Sequence, residues 1–391
     1  SPDLAVDSLF RKAGIVRCYG REDLIAVASL FMHPELNGKK IAIITHAGGP
    51  AVMLTDALSA GGLEIPHIEG AAAEKLKAKL FPGSSVANPI DFLATGTAEQ
   101  LGFIIDAVEN DFQDIDGMVV IFGTPGLNSI FDVYELLDQK MKNAKKPIYP
   151  VLPSILTAAE EVAFFLSKGR INFPDEASLG VAMSRVYHTP KPANLHHETL
   201  TVDNQKIRNI IDSAENGYLA PAQVEALLDT AGIARAGEAV VKSAPEAVTE
   251  AAKLGYPVVM KVVGPIHKSD VGGVVLNVKD AETVAAEFER MIKIKDTTAI
   301  LIQPMLSGLE LFAGAKKEGL FGHMLLCGLG GIFIEVLKDV ASELVPIDRT
   351  MAHTMIKKLK SYALLEGVRG QQGIDIDAFA TVLVRLSALL Q

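Results

Sequence analysis

Apolar residues change their spacing about half-way along this chain. Ser1 to Met32 opens with an amphipathic helix around Val6, Leu9 and Phe10, a short strand in GIVRCYG and a helix from Arg21. From Gly38 a regular alternation sets in. IAIIT (Ile41 to Thr45), DGMVVIFG (Asp116 to Gly123) and KPIYPVLP are largely apolar, and each leads into a segment with helical period. GLEIPHI and the start of INFPDEASLGVAMSRV read as further short strands, AAAEKLKAKLF and residues 99–110 as further helices. Strands apolar on both faces and alternating with helices predict a parallel sheet covered on each side, an α/β layer. Ligands of such sheets gather beyond the carboxyl ends of the strands. Here those ends are His46-Ala47-Gly48-Gly49-Pro50 and Gly123-Thr124-Pro125-Gly126.

Residues 188–204, HTPKPANLHHETLTVDN, have no apolar period and read as a linker. The domains expected are therefore 1–187 and 204–391, joined by 188–203. The pair His196-His197 lacks a partner at metal-ligand spacing and reads as solvated linker. Beyond it the pattern gives helices near 204–214, 221–231, 245–254 and 280–293, with strands around Ala239-Val240-Val241, in YPVVMKVV and in AILIQPML. SGLELFAGAKKE, HMLLCGLGGIFIEVLK and ASELVPID read as consecutive antiparallel strands, followed by helices at 350–360 and from Asp375 to Leu390. This half is α+β, with helices flanking an antiparallel sheet. No internal repeat is present.

The candidate chemistry concentrates in Tyr256 to Val278, YPVVMKVVGPIHKSDVGGVVLNV. Lys261 stands in an apolar strand, and a buried ammonium is costly unless an anion meets it. The loop after the strand carries His267-Lys268-Ser269-Asp270 and then Gly272-Gly273, a plausible anion cradle. In the first half, helix N-termini after Gly48-Gly49 and after Thr124-Pro125-Gly126 offer free N–H groups and positive dipole ends. Ordinary β–α turns are the plain alternative there.

Composition narrows the classes. The 391 residues suffice for two or three domains, and 49% hydrophobic with 21% charged residues indicates a packed chain rather than a disordered one. A formal charge of −10 argues against general nucleic-acid binding, so a polyanionic ligand must be held by local groups. Cys18 and Cys327, far apart, suggest no disulfide framework and fit a reducing cytoplasm. No apolar run reaches membrane-spanning length and no signal segment opens the chain, so neither a membrane nor a nucleic acid is expected as partner.

Taken together, these stretches resemble a known family. PVVMKVV, HKSDVGGVVLNV, LIQPMLSGLELFAGAKKEGLFGHMLLCGLGGIFIEVLKDVA and the preceding LDTAGI resemble the ATP-grasp domain of nucleoside-diphosphate-forming acyl-CoA synthetases, relatives of succinyl-CoA synthetase. FRKAGIVR, IAIITHAGGPAVMLTDAL, NPIDFLATGT and the GTPG turn resemble the flavodoxin-like domain preceding it in fused enzymes of that family. The resemblance runs in order over nearly the whole chain. It implies a flavodoxin-like doubly wound parallel sheet followed by an α+β ATP-grasp domain. It also implies conversion of acyl-CoA, ADP and phosphate to acid, CoA and ATP, and the reverse, through acyl phosphate and phosphohistidine. ATP or ADP and Mg²⁺ would be the cofactors.

By the same resemblance His267 would accept the phosphoryl group, and a neutral imidazole is nucleophilic near pH 7. Asp270 or a main-chain carbonyl would orient its other nitrogen. Lys261 would meet the α- and β-phosphates as a point charge, and Gly272 and Gly273 would let the backbone approach them. Gln303 to Leu306, Met305 included, would form the adenine hinge, and Glu310 would meet the ribose hydroxyls. Gly330 and Gly331 belong to a GLGG-E pattern near the phosphates, with Glu335 as metal ligand. Gly48, Gly49, Thr124 and Gly126 would hold the phosphate of the phosphohistidine; His46 beside them is a neighbour, because THAGG is not the family's phosphohistidine motif. The bland readings are a loop histidine, a snorkelling lysine, a Gly-Gly hairpin and a solvated glutamate.

Fused members of the family begin with a CoA-binding Rossmann-like domain and a second flavodoxin-like domain with another phosphorylated histidine, in a segment resembling S-H-T-G-A-L-A-G. This chain starts about where that segment would end and stops before an E-x-D-x-N-P motif that helps hold Mg²⁺. The expectation is one piece of a larger, oligomeric enzyme, with CoA and the carboxylic acid met through an N-terminal segment or subunit. Alone it is expected to bind nucleotide weakly and turn over no acyl-CoA. Two other classes compete. A nucleotide-sensing scaffold of the protein-lysine acetyltransferase type is disfavoured by the complete HKSDVGG motif, and another ATP-grasp ligase leaves the HAGGP half unexplained.

Overall fold

The structure is a computed structural model that describes residues 2–124, 129–193, 200, 202–265, 271–331, 339–368, 370 and 372–391. Helix α1 (Pro2–Ala13) opens the chain. The chain divides into two compact units, Leu9–Ala193 and Ser1–Ser8 with Asn194–Gln391. No helix among the described residues is long and apolar enough to cross a membrane.

In the first unit β1 (Ile41–Thr45), β2 (Ile90–Asp91), β3 (Gly117–Ile121) and β4 (Ile148–Val151) are parallel, in the order β2-β1-β3-β4. A parallel bridge from Val151 to Phe173 continues that order by one position. This is the flavodoxin-like order. Successive side chains of β1 leave on opposite faces. Ile41 and Ile43 enter one apolar cluster with α2 (Arg21–Leu30), α3 (Gly48–Ala60) and α8 (Glu176–His188). Ala42 and Ile44 enter another with α4 (Ala71–Lys77), α5 (Ala98–Asn110), α6 (Phe131–Asn143) and α7 (Ala159–Ser167). Covering both faces is what requires unbroken apolar strands, each buried Ile contributing roughly 1.5–3 kcal/mol.

The short elements depart from the pattern. GIVRCYG joins no ladder: Val16 packs against the core from a loop, since apolarity reports burial rather than pairing. GLEIPHI contributes only the bridge of Glu64 to Lys40, and Pro66 cannot donate to a ladder. The second strand position is taken by NPIDF, through β2. Both cysteines are free, and burial pushes the Cys327 thiol up to about 12.

The second unit holds two antiparallel sheets rather than the single one expected. After α9 (Asn204–Asp212) and α10 (Pro221–Thr230), the first consists of β5 (Ala239–Val241), β6 (Val258–Val263), β7 (Val274–Val278) and β8 (Ala299–Pro304) in the order β5-β8-β6-β7. Helices α11 (Ala244–Leu254) and α12 (Ala281–Met291) cover one face, on Val258, Met260, Val262, Ile300 and Ile302. The second sheet is β11-β10-β9, from β9 (Leu311–Lys317), β10 (His323–Leu329) and β11 (Val340–Leu344), under the helices Arg349–Lys357 and Ile376–Leu389. A short helix, Tyr362–Glu366, lies where a loop was expected. Ala5 packs with Met324 and Leu344, and Ser8 accepts the Leu344 N–H at 2.7 Å and donates to Glu343.

His33 gives the first unit a pH response. Its ring lies 5.1 Å from that of Tyr149 and 5.7 Å from that of Phe173, and its Nε2 has no hydrogen-bond partner among the described residues. Burial, and then the positive charge of Arg170, lower its pKa to about 4. The unfolded chain thus binds a proton between pH 6.5 and 4 that the folded one refuses. Stability is full above pH 6.5 and falls as pH drops toward 4, by about 2–3 kcal/mol. Urea unfolding of wild type and His33→Phe across that range should show the variant with a flatter profile; parallel profiles would contradict it.

Candidate functional site

Side-chain alternation sends Val258, Met260 and Val262 of β6 to the helices, and Val259, Lys261 and Val263 to the opposite face. That face is partly open: Val240 is exposed and Lys261 and Gln303 are half-buried. Register then assembles a polar row across three strands. Val259 pairs with Gln303 and Lys261 with Leu301, which makes Lys261 and Gln303 diagonal neighbours. Ala239 pairs with Ile302, which brings Glu238 beside Gln303. Lys261 Nζ donates to Gln303 Oε1 at 2.9 Å, and Gln303 Nε2 donates to Glu238 Oε2 at 2.5 Å. Arg235 Nη1 donates to Glu238 Oε1 at 3.3 Å, while its Nε and Nη2 hold Asp229 at 2.9 and 3.1 Å. A hydrogen bond with Glu238, then burial, raise the pKa of Glu225 beside this row. Lys261 is less costly in its strand than the apolar run suggests, because a carboxamide oxygen already meets the ammonium.

Immediately after β6, Gly264 has φ +127° and packs so closely on the turn at Asp296 that a Cβ would lie 2.0 Å from the Asp296 carbonyl oxygen. That backbone oxygen has nowhere to go, since Thr297 donates to Ile294 O and Thr298 to Val263 O on either side of the turn. Gly264→Ala should therefore cost about 3 kcal/mol and lower the melting temperature by about 6–12 °C, measurable by scanning calorimetry. An unchanged melting temperature would rule out the close approach. His267, Lys268, Ser269 and Asp270 follow this turn and lie outside the described residues. On the far side Gly272 has φ +65° and its carbonyl accepts from Arg290 Nη2 at 3.2 Å, while Gly273 O accepts the Val262 N–H at 2.8 Å. The two glycines thus close the β6–β7 hairpin.

In the expected hinge, the Gln303 side chain belongs to the polar row, and Met305 N–H donates to Pro257 O at 2.9 Å, so that donor is engaged. Glu310 precedes β9 and lies beside the glycines that follow β10. Its carbonyl accepts the Gly330 N–H at 2.8 Å, and a Cβ on Gly331, at φ +58°, would lie 2.5 Å from its Oε2. Glu310, Gly330 and Gly331 are therefore one local group. Glu335 lies outside the described residues, and among those residues no three His, Cys, Asp or Glu side chains gather as a metal cage.

In the first unit Gly48 and Gly49 open α3 directly after β1, with Ala47 as the residue before the helix. A Cβ on Gly48 would be 3.9 Å from Asp91 Oδ2, so a carboxylate stands beside this helix end. The Asp91 Oδ1 accepts the Leu93 N–H at 2.9 Å. The His46 ring lies tilted against that of Phe122 with centroids 4.4 Å apart, and burial lowers its pKa. The Thr124 N–H donates to Ser154 Oγ at 2.9 Å. Helix α6 starts at Phe131, where Tyr134 N–H donates to Ile130 O. Gly126, His196 and His197 lie outside the described residues. Sequence reasoning passed over Glu238, Arg235, Asp91 and Ser154. The available signal for Glu238 was its place directly ahead of a strand, but only the register shows what stands opposite.

Comparison with known proteins places these features in a family. The family model described as ATP-grasp domain matches residues 211–391. The chain is 31% identical to acetate–CoA ligase (ADP-forming) I of Archaeoglobus fulgidus over 98% of its own length and 57% of that protein's. Against acetate–CoA ligase (ADP-forming) of Methanocaldococcus jannaschii the identity is 29%, over 99% of this chain and 58% of the relative. The chain thus spans little more than half the length of these relatives. With subunit beta of the Pyrococcus furiosus acetate–CoA ligase (ADP-forming) I, 37% identity covers 47% of this chain and 84% of the subunit. With that identity over most of the subunit, and with the family's motifs in order along both halves, the chain belongs to the ADP-forming acid–CoA ligase family.

Proposed function

We propose that this chain is the phosphoryl-transfer part of an ADP-forming acid–CoA ligase. In the overall reaction phosphate displaces CoA from acyl-CoA to give acyl phosphate. The phosphoryl group passes from acyl phosphate to a histidine nitrogen, releasing the carboxylate, and then from the histidine to the terminal oxygen of ADP, giving ATP. The observation that carries the reading is the half-buried Lys261 on the partly open sheet face, in the strand that the HKSD motif follows in sequence. Nucleotide would lie over that face, with Lys261 on its phosphates and Glu310, Gly330 and Gly331 at the next sheet. His267 is the proposed carrier, and Gly264 and the Gly272-Gly273 hairpin fix where its loop leaves and rejoins the sheet.

Mg²⁺ enters the proposal as the nucleotide's cation, which is usually held by phosphates, waters and one or two carboxylates; Glu335 is the carboxylate proposed. In the first unit Gly48 and Gly49 remain the proposed resting place for the carrier's phosphate, with Asp91 as an additional negative neighbour there. Thr124 would contact it through its side chain, since its N–H is engaged. CoA and the acid are proposed to be met by an N-terminal CoA-binding segment or subunit, in an oligomer working in the cytoplasm.

Incubation with γ-labelled ATP and Mg²⁺, together with that CoA-binding segment, tests the reading. The expected product is protein-bound phosphate that is labile in acid and stable in base. A protein that binds ADP yet takes up no such label would favour a nucleotide-sensing scaffold instead.

A further inference from the structure

A carboxamide is nearly symmetric in shape but not in chemistry, since its oxygen accepts and its nitrogen donates. Whatever stands at one end of Gln303 therefore decides which end faces Lys261. At that end stands Glu238, whose ionised carboxylate only accepts, so it takes the Gln303 Nε2–H at 2.5 Å and leaves Oε1 for the Lys261 ammonium at 2.9 Å. Glu238 is itself fixed: Arg235 Nη1 donates to its other oxygen at 3.3 Å, and Asp229 accepts from Arg235 Nε and Nη2. The Arg235 and Glu238 side chains are only 23% and 18% exposed, so the pair is shielded enough to hold its geometry. Each link along the row Lys261, Gln303, Glu238, Arg235, Asp229 joins a donor to an acceptor.

We propose that Glu238 is a positioning residue for Lys261, acting through the Gln303 carboxamide to hold the ammonium at one place on the open sheet face. The inference rests on the nucleotide reading above and adds how the cation is aimed. A lysine has a long flexible stem, and ordering it at the moment of binding costs affinity. The row orders it beforehand. A neutral glutamine at 238 offers either end to Gln303, which is then free to turn its NH₂ toward the ammonium and release it.

Two readouts on the full chain test this. In protein labelled with ¹⁵N-glutamine, the Gln303 carboxamide signals, assigned by their loss in Gln303→Leu, should be shifted and slow to exchange in wild type. They should move to the solvent-exposed position in Glu238→Gln and stay close to the wild-type position in Glu238→Asp. By calorimetry, Glu238→Gln should weaken ADP binding about tenfold and leave adenosine, which has no phosphate for Lys261, nearly unchanged. Adding Lys261→Met to Glu238→Gln should weaken ADP no further than Lys261→Met alone. A merely structural role would weaken both ligands alike and add to Lys261→Met, which would overturn the proposal. If wild type binds no ADP, the nucleotide reading falls and takes the positioning role with it. If ADP binds but Glu238→Gln moves neither the carboxamide signals nor the selectivity, the positioning role alone falls.

Discussion

His267→Ala is expected to reduce phosphate uptake from labelled ATP to background. An imidazole is the one side chain in this loop that is both neutral and nucleophilic near pH 7. A lysine in water presents an ammonium with no free lone pair near pH 7, and a carboxylate is a weak nucleophile toward phosphate. Ser269 is the remaining acceptor, and its phosphate ester would be stable in acid and eliminated in base, the reverse of a phosphohistidine. The variant should retain ADP affinity, because the row from Lys261 to Asp229 does not pass through the loop. Equal labelling of wild type and variant would remove His267 from the mechanism. Label that is base-labile would move the chemistry to Ser269.

Lys261→Met should weaken ADP binding by about 10- to 100-fold, the size of one charge-assisted contact to phosphate made by a half-buried ammonium. Methionine keeps the unbranched stem, so the packing of β6 against α11 and α12, made by Val258, Met260 and Val262, is untouched. The melting temperature should therefore stay near that of wild type while affinity falls, and calorimetry with ADP and adenosine separates the two. A loss of adenosine affinity to the same degree would place Lys261 near the base instead. Raising the salt concentration should weaken wild-type ADP binding more than that of the variant, because only the former has the ammonium to screen.

Much of the fold was legible from the chain because burial on two faces leaves no choice of residue. IAIIT, GMVVI and the apolar part of KPIYPV are continuous because α2, α3 and α8 cover one side and α4, α5, α6 and α7 the other. GIVRCYG misled because Val16 and Cys18 pack on that core without being paired, while Ile15 and Tyr19 stay exposed. The second half was legible as α+β, but its strands gave no sign of belonging to two sheets. Alternation tells which face a residue takes and is silent on which strands are neighbours. Among the candidate site residues, Lys261, Gly272, Glu310, Gly330 and Gly331 stand out in the sequence by type and context. That the Thr124 N–H is taken could not be read from the chain, because the hydroxyl that takes it, on Ser154, comes from beyond the end of another strand.

Sequence alone determined the alternation of layers, the family, and the loop in which a histidine follows an apolar strand bearing one lysine. These are local or ordered features, carried by spacing along the chain. What only the tertiary structure decided is who meets whom across strands. The antiparallel register of β5 and β6 on either side of β8 puts Glu238, Gln303 and Lys261 in contact, 65 and 42 residues apart in the chain. Hydrogen bonds are short-ranged and directional, so a partner so distant in sequence leaves no trace in the pattern until the register is known.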